Sequence, residues 1–218
     1  MIDRLVDIDA ALPGDDGVAV FNRMYLTVTE RVLSALETRD VFAAPGLMAE
    51  LDVRFAALWL DAYDDAAGGR TVCAAWRPLF EHRGTHGLLP IQFALSGMNA
   101  HIEHDLPLAV VATCTARRVD PEAVHHDYEA VNEILASVES EVRRSFLDEA
   151  GRRLDDHLGP TVHVLSAWNI DKARDLAWVS VEALWALRRL RFLTDRYTTG
   201  LAGTVGMVSR YLLTPLVR

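Results

Sequence analysis

Apolar residues recur at three- and four-residue spacing along almost the whole chain, and no convincing alternation of apolar and polar positions marks a strand. Behind Asp15 and Asp16, which suit a helix cap, Phe21, Tyr25, Val28, Val32 and Leu36 share one face. A turn at Ala44, Pro45 and Gly46 leads to a second helix with Leu51, Phe55, Leu58 and Ala62 aligned, closed by Gly68 and Gly69. A short helix is expected over Cys73 to Phe80, followed by the loop HRGTHG. Pro90 then opens a long apolar helix through IQFALSGMNAHIEHDLPLAVVATCTA, which Pro107 should kink.

Asp120 and Pro121 signal another start, with Asp at the cap and Pro at the first helical position. The helix they begin aligns Val124, Tyr128, Val131, Leu135, Val138 and Val142 and fades near Gly159. A further helix begins near Ser166 to Asn169 and runs through Trp178, Leu184 and Leu187, and a last one follows Gly200. The pattern predicts an all-α fold: a single domain over residues 1–218, an irregular bundle of about seven helices. Residues 1–14 read as a flexible N-terminal segment.

Composition narrows the partners. A length of 218 residues with 50% hydrophobic content suits one buried core. The formal charge of −9 disfavours a nucleic-acid backbone or an anionic lipid surface, both of which draw on clustered basic charge. Lys172 is the only lysine, a bias that reads as genome composition. Cys73 and Cys114, the only cysteines, need no disulfide and sit in no evident nucleophile setting. The acidic N-terminus is unlike a signal peptide, and the apolar run from Leu201 to Val217 is broken by Arg210 and Pro215. A cytoplasmic protein without membrane or nucleic-acid partners is the expectation; a small-molecule ligand and a homodimer are the partners considered.

The chemistry concentrates in NAHIEHD, inside what otherwise reads as a buried helix. At 100° per residue His101 and Asp105 share an apolar face with Met98 and Leu108, whereas Asn99 lies on another side with Gln92 and Glu103, and His104 sits at the margin. Burying such groups costs several kcal/mol, roughly, unless they are paired. Three readings stay open. The pair belongs to a structural polar network, it ligates a metal with residues of another helix, or Asp105 orients His101 as a general base. The HxxxD spacing resembles the ligand pairs of the helical zinc phospholipase and nuclease superfamily; this chain lacks that group's N-terminal tryptophan and further histidines, and the activity is not carried over.

Asp127 and Asn132, on the helix after Pro121, are candidate partners for that pair, while His125 reads as a solvated terminus. Arg174 and Trp178 lie one turn apart, and a buried Arg174 would answer a carboxylate or hold an anionic ligand. No nucleophile elbow, P-loop, dinucleotide fingerprint or paired ExxH motif is present.

The blocks GMNAHIEHDLPLAV, HDYEAVNEIL and KARDLAW, with FNRMYLTVTERV near the start, resemble a bacterial family catalogued as a domain of unknown function. Its blocks have the form GMNAHIxxDL, DFxxIN and ARxxAW. The resemblance covers roughly residues 20 to 190 and implies an all-helical fold without an activity. Its pattern falls on Asn99, His101, Asp105, Asp127, Asn132, Arg174 and Trp178, with Tyr128 in place of the usual phenylalanine. The leading expectation is an enzyme, hydrolytic or oxygen-using. His101, Asp105 and Asp127 would hold one divalent zinc or iron, Arg174 an anionic substrate group, and Asn99, Asn132 and Trp178 would contact substrate or orient ligands. The alternatives are a metal-free isomerase or cyclase using the His–Asp pair, and a non-catalytic binding or scaffold protein.

Overall fold

A computed structural model describes residues 1–37, 41–132, 134–135 and 169–215, and all regular structure among them is helical. The N-terminal residues expected to be flexible form a helix instead, α1 (Ile2–Ala11), because Leu5 and Ile8 bury one face of it. Asn22 ties this helix down, donating to the Leu5 carbonyl at 2.7 Å while accepting from the Trp59 indole at 3.3 Å. α2 (Gly17–Glu37) is started by Asp16, whose carboxylate accepts from the Val18 N–H at 2.8 Å. α3 (Pro45–Ala67) has Pro at its first position and ends at Gly68–Gly69, where Gly69 takes the left-handed φ of 67°.

The short α4 (Arg77–His82) begins four residues later than the sequence suggests, after a turn that contains Cys73. α5 (Pro90–Ala100) and α6 (Leu106–Arg117) are one continuous rod, joined by a π-helical turn over His101–Asp105. Pro107 has no N–H to return to an earlier carbonyl, and the wide turn just before it is where the rod absorbs that loss. Helical residues 122–132 form α7, whose first turn is capped by Asp120. The expected continuation through Val138 and Val142, together with His157 and His163, lies outside the described residues. α8 (Ile170–Leu187) is capped by Asn169, which accepts from the Lys172 N–H at 3.1 Å.

α9 (Arg191–Leu212) starts well before Gly200, which lies inside it. A single exposed glycine costs a helix only about 1 kcal/mol, too little to set its boundary. None of the described helices is long and apolar enough to cross a membrane.

The α5–α6 rod runs through the middle of the bundle, with α2 and α9 against its first half and α3 and α8 against its second. Reciprocal close contacts lock α2 to α5. A Cβ on Gly97 would come within 2.2 Å of the Phe21 ring, and one on Gly17 within 2.3 Å of the Phe93 ring. Each glycine is the socket for the other helix's phenylalanine.

Candidate functional site

The five residues of the π turn carry the site. In this wider turn His101, Ile102, His104 and Asp105 are all buried, so His104 leaves the helix margin and joins the interior. Asp105, 2% exposed, accepts three hydrogen bonds. His101 Nδ1 gives one to Oδ2 at 3.0 Å, the Trp76 indole another to Oδ2 at 2.9 Å, and His104 Nδ1 one to Oδ1 at 2.7 Å. An ionised carboxylate accepts only, so both imidazoles carry a proton on Nδ1 and turn Nε2 elsewhere.

The two histidines differ in charge. Burial pulls His101 below the ordinary histidine range even though Asp105 opposes it, which leaves a neutral ring with a lone pair on Nε2. Burial also acts against the cation on His104, but the bonds to Asp105 and Cys73 outweigh it and raise its pKa to about 10. Burial disfavours the Asp105 anion too, yet the two histidines hold it below the usual carboxylate value. His101 Nε2 has no hydrogen-bond partner among the described residues.

That ring lines a cavity of about 110 Å³ whose walls are mostly apolar, with Met24, Leu51, Leu95, Met98 and Val131 among them. Phe55 stacks on His101 at 3.6 Å between centroids, and Tyr25 meets its edge at 4.5 Å. The volume is below the few hundred Å³ of a drug-sized pocket and nearer the ~150 Å³ of an engineered cavity that takes up benzene. The Tyr25 and Thr29 hydroxyls are neighbours at the wall, and neither has a hydrogen-bond partner among the described residues. Asp52 also lines the cavity, and burial raises its pKa to about 6.

Arg174 closes another side of the cavity. It is 4% exposed and lies over the Tyr128 ring, 4.0 Å from the centroid. Among the described residues its hydrogen bonds run to the Asn132 side-chain oxygen and the Tyr128 carbonyl, and to no carboxylate. The Tyr128 hydroxyl donates to the Arg174 carbonyl at 2.8 Å.

Other expected members are employed elsewhere. Asp127 accepts from the Ala43 and Ala44 N–H groups at 2.8 and 2.7 Å and so satisfies the open start of α3. The proposed metal triad therefore does not converge: the oxygens of Asp105 face two imidazoles and an indole, and those of Asp127 face backbone. Among the described residues no group of three or more His, Cys, Asp or Glu is placed to hold a metal ion. Asn99 donates to the Val205 carbonyl at 3.1 Å and the Ser209 hydroxyl at 3.0 Å, tying α5 to α9. Trp178 stacks on His125 at 4.2 Å and leans on Tyr128, outside the cavity lining. Asn132 keeps a role through Arg174, with its amide nitrogen fixed on Glu129 at 2.9 Å.

Sequence reasoning missed Tyr25, Thr29, Asp52, Phe55 and Trp76 as site residues and set His104 aside. Asp52 alone left a trace, as a carboxylate directly after Leu51 on the apolar side of α3.

A family model described as a family of unknown function (DUF5995) matches residues 1–215. No curated protein and no solved structure matches the chain.

Proposed function

We propose that this chain, which belongs to the DUF5995 family of unknown function, performs metal-free acid–base chemistry on a small, largely apolar molecule bearing a carboxylate or similar anion. One observation carries the reading: a buried imidazole, fixed by Asp105, lines an apolar cavity with its Nε2 unpartnered among the described residues. A lone pair held this way, buried beside an apolar cavity, suits a general base.

The anion would sit on Arg174, whose guanidinium is held in place by Asn132 and the Tyr128 carbonyl and which has no carboxylate neighbour in bonding distance among the described residues. His101 Nε2 takes a proton from the bound molecule, and the imidazolium that forms is stabilised by Asp105. Returning the proton to a different atom completes an isomerisation. Asp105, through His101, is a positioning residue. Asp52 and Tyr25, which line the same cavity, would accept or return a second proton.

Hexanoate and benzoate, small carboxylates with apolar bodies, serve as probes. Both should shift the 15N resonance of His101 Nε2, and both should lose at least tenfold in affinity in Arg174→Gln. A panel of short carboxylates incubated with protein in D2O should include members that exchange carbon-bound hydrogen, and His101→Gln should abolish the exchange while leaving binding. If no carboxylate binds and none exchanges, the reading is wrong.

A further inference from the structure

The other imidazole of the π turn faces a second group that the cavity chemistry does not use. Cys73 lies in the turn between α3 and α4, is exposed, and places its sulfur 3.7 Å from His104 Nε2. His104 is held in turn by the buried Asp105 at 2.7 Å. Thiol, imidazole and carboxylate thus stand in line, drawn from two segments 31 residues apart. Neither Cys73 nor His104 lines the cavity, and Asp105 is the one residue this constellation shares with the function proposed for it.

With the Nδ1 proton committed to Asp105, Nε2 is the atom that receives the thiol proton. The resulting thiolate and imidazolium stabilise each other, and the nearby Ala75 N–H also favours the thiolate. Burial works against the Cys73 thiolate, but these contacts outweigh it and bring its pKa below the ordinary thiol value. Cys114 is the contrast: buried, and pushed up to about 11. The turn holding Cys73 is fixed from behind by α9, where a Cβ on Gly206 would come within 2.2 Å of the Ala74 carbonyl oxygen.

We propose that Cys73, His104 and Asp105 form a nucleophilic site that takes an activated acyl group, from an ester or thioester, onto the Cys73 sulfur. A sulfur lone pair forms the S–C bond at the carbonyl carbon. As the carbon–oxygen or carbon–sulfur bond of the donor breaks, the leaving atom keeps the bonding pair and takes the proton from His104 Nε2. The products are an alcohol or thiol, a thioester on Cys73, and a neutral His104. Water or an amine then attacks that thioester, with His104 Nε2 taking its proton. An imidazolium placed to protonate a leaving group is what acyl transfer needs, and neither cysteine is in a disulfide, so thiol–disulfide exchange within the chain is not the use implied.

p-Nitrophenyl acetate is the probe. At pH 6.5 the full chain should release one equivalent of p-nitrophenolate in a burst and gain one acetyl group, located on Cys73 by peptide mass spectrometry. Cys73→Ser should give no burst, and Cys114→Ser should behave as wild type. His104→Gln should slow the burst at least tenfold at pH 6.5 and move its pH midpoint toward the ~8.5 of an ordinary thiol. Should that variant fail to fold, the pH profile of iodoacetamide alkylation of wild-type Cys73 decides: a midpoint below 7.5 supports the site, and one near 8.5 overturns it. Acetyl groups found only on Cys114, Lys172 or the N-terminus would overturn it as well.

Discussion

At the scale of single residues, two carboxylates in the same interior have opposite fates. Asp105 is satisfied on both oxygens, so removing it leaves the cationic His104 and the Trp76 indole without an acceptor. Asp105→Ala should lower stability by about 3–5 kcal/mol, read by urea unfolding. Asp52 has no such support, and burial alone raises it from 3.8 to about 6. A carboxylate whose folded pKa is raised opposes folding when ionised. Its penalty is complete above pH 6 and relieved as the pH falls toward 4. Asp52→Asn should therefore stabilise the protein at pH 7 by about 1–3 kcal/mol, and it should flatten the pH dependence of urea midpoints between 4 and 6. The retention of so unfavourable a group beside the Tyr25 hydroxyl fits a role in the chemistry rather than in the fold. His104 has the reverse sign: its raised pKa lends stability that is full below pH 6.5 and lost as the pH climbs through about 10.

At the scale of elements, the π turn decides which side chains meet. Deleting Glu103, the one residue of the turn left partly exposed, should restore a plain α-helix while rotating α6 against α5. Circular dichroism should then report near-native helix content, with His101 and His104 no longer sharing Asp105 and their NMR resonances returned to ordinary titration. The glycine sockets set the spacing of α2 and α5, so Gly97→Ala should cost about 1–3 kcal/mol, and Phe21→Leu should recover part of that in the double variant.

The same elements explain what was legible. His101 and Asp105 were readable because a one-turn spacing keeps them on one side of the rod, and their polarity stood out against an apolar face. His104 was not, because 100° per residue is the wrong rotation inside a wider turn. Asn99 and Asp127 are legible as polar candidates, but Asn99 binds the Val205 carbonyl and the Ser209 hydroxyl and Asp127 the Ala43 and Ala44 N–H groups, partners that no local pattern reveals. Cys73 meets His104 only through tertiary packing. The helical periods themselves came through because burial of one face forms these helices, as the unexpected α1 demonstrates with Leu5 and Ile8.

At the scale of the whole molecule, the chain carries a net charge of −9 around a cavity that Arg174 would make receptive to an anion. Long-range repulsion then opposes the approach of the ligand, while the buried guanidinium acts only at contact. Raising the salt from 50 to 300 mM should speed hexanoate association by about two- to five-fold in stopped-flow measurements, the opposite of the slope for a nucleic-acid binder. The sharing of Asp105 has a further consequence at this scale. One carboxylate holds an imidazole beside the apolar cavity and another beside an exposed sulfur. Acylation of Cys73 removes the thiolate and, with it, one of the two partners that favour the His104 cation, which changes what Asp105 offers His101. Thermodynamic reciprocity then binds the two events: the factor by which a thioester on Cys73 alters the affinity for a cavity ligand equals the factor by which that ligand alters the acylation equilibrium. Inside and outside would exchange information through a single pair of oxygens, with no element of the bundle having to move.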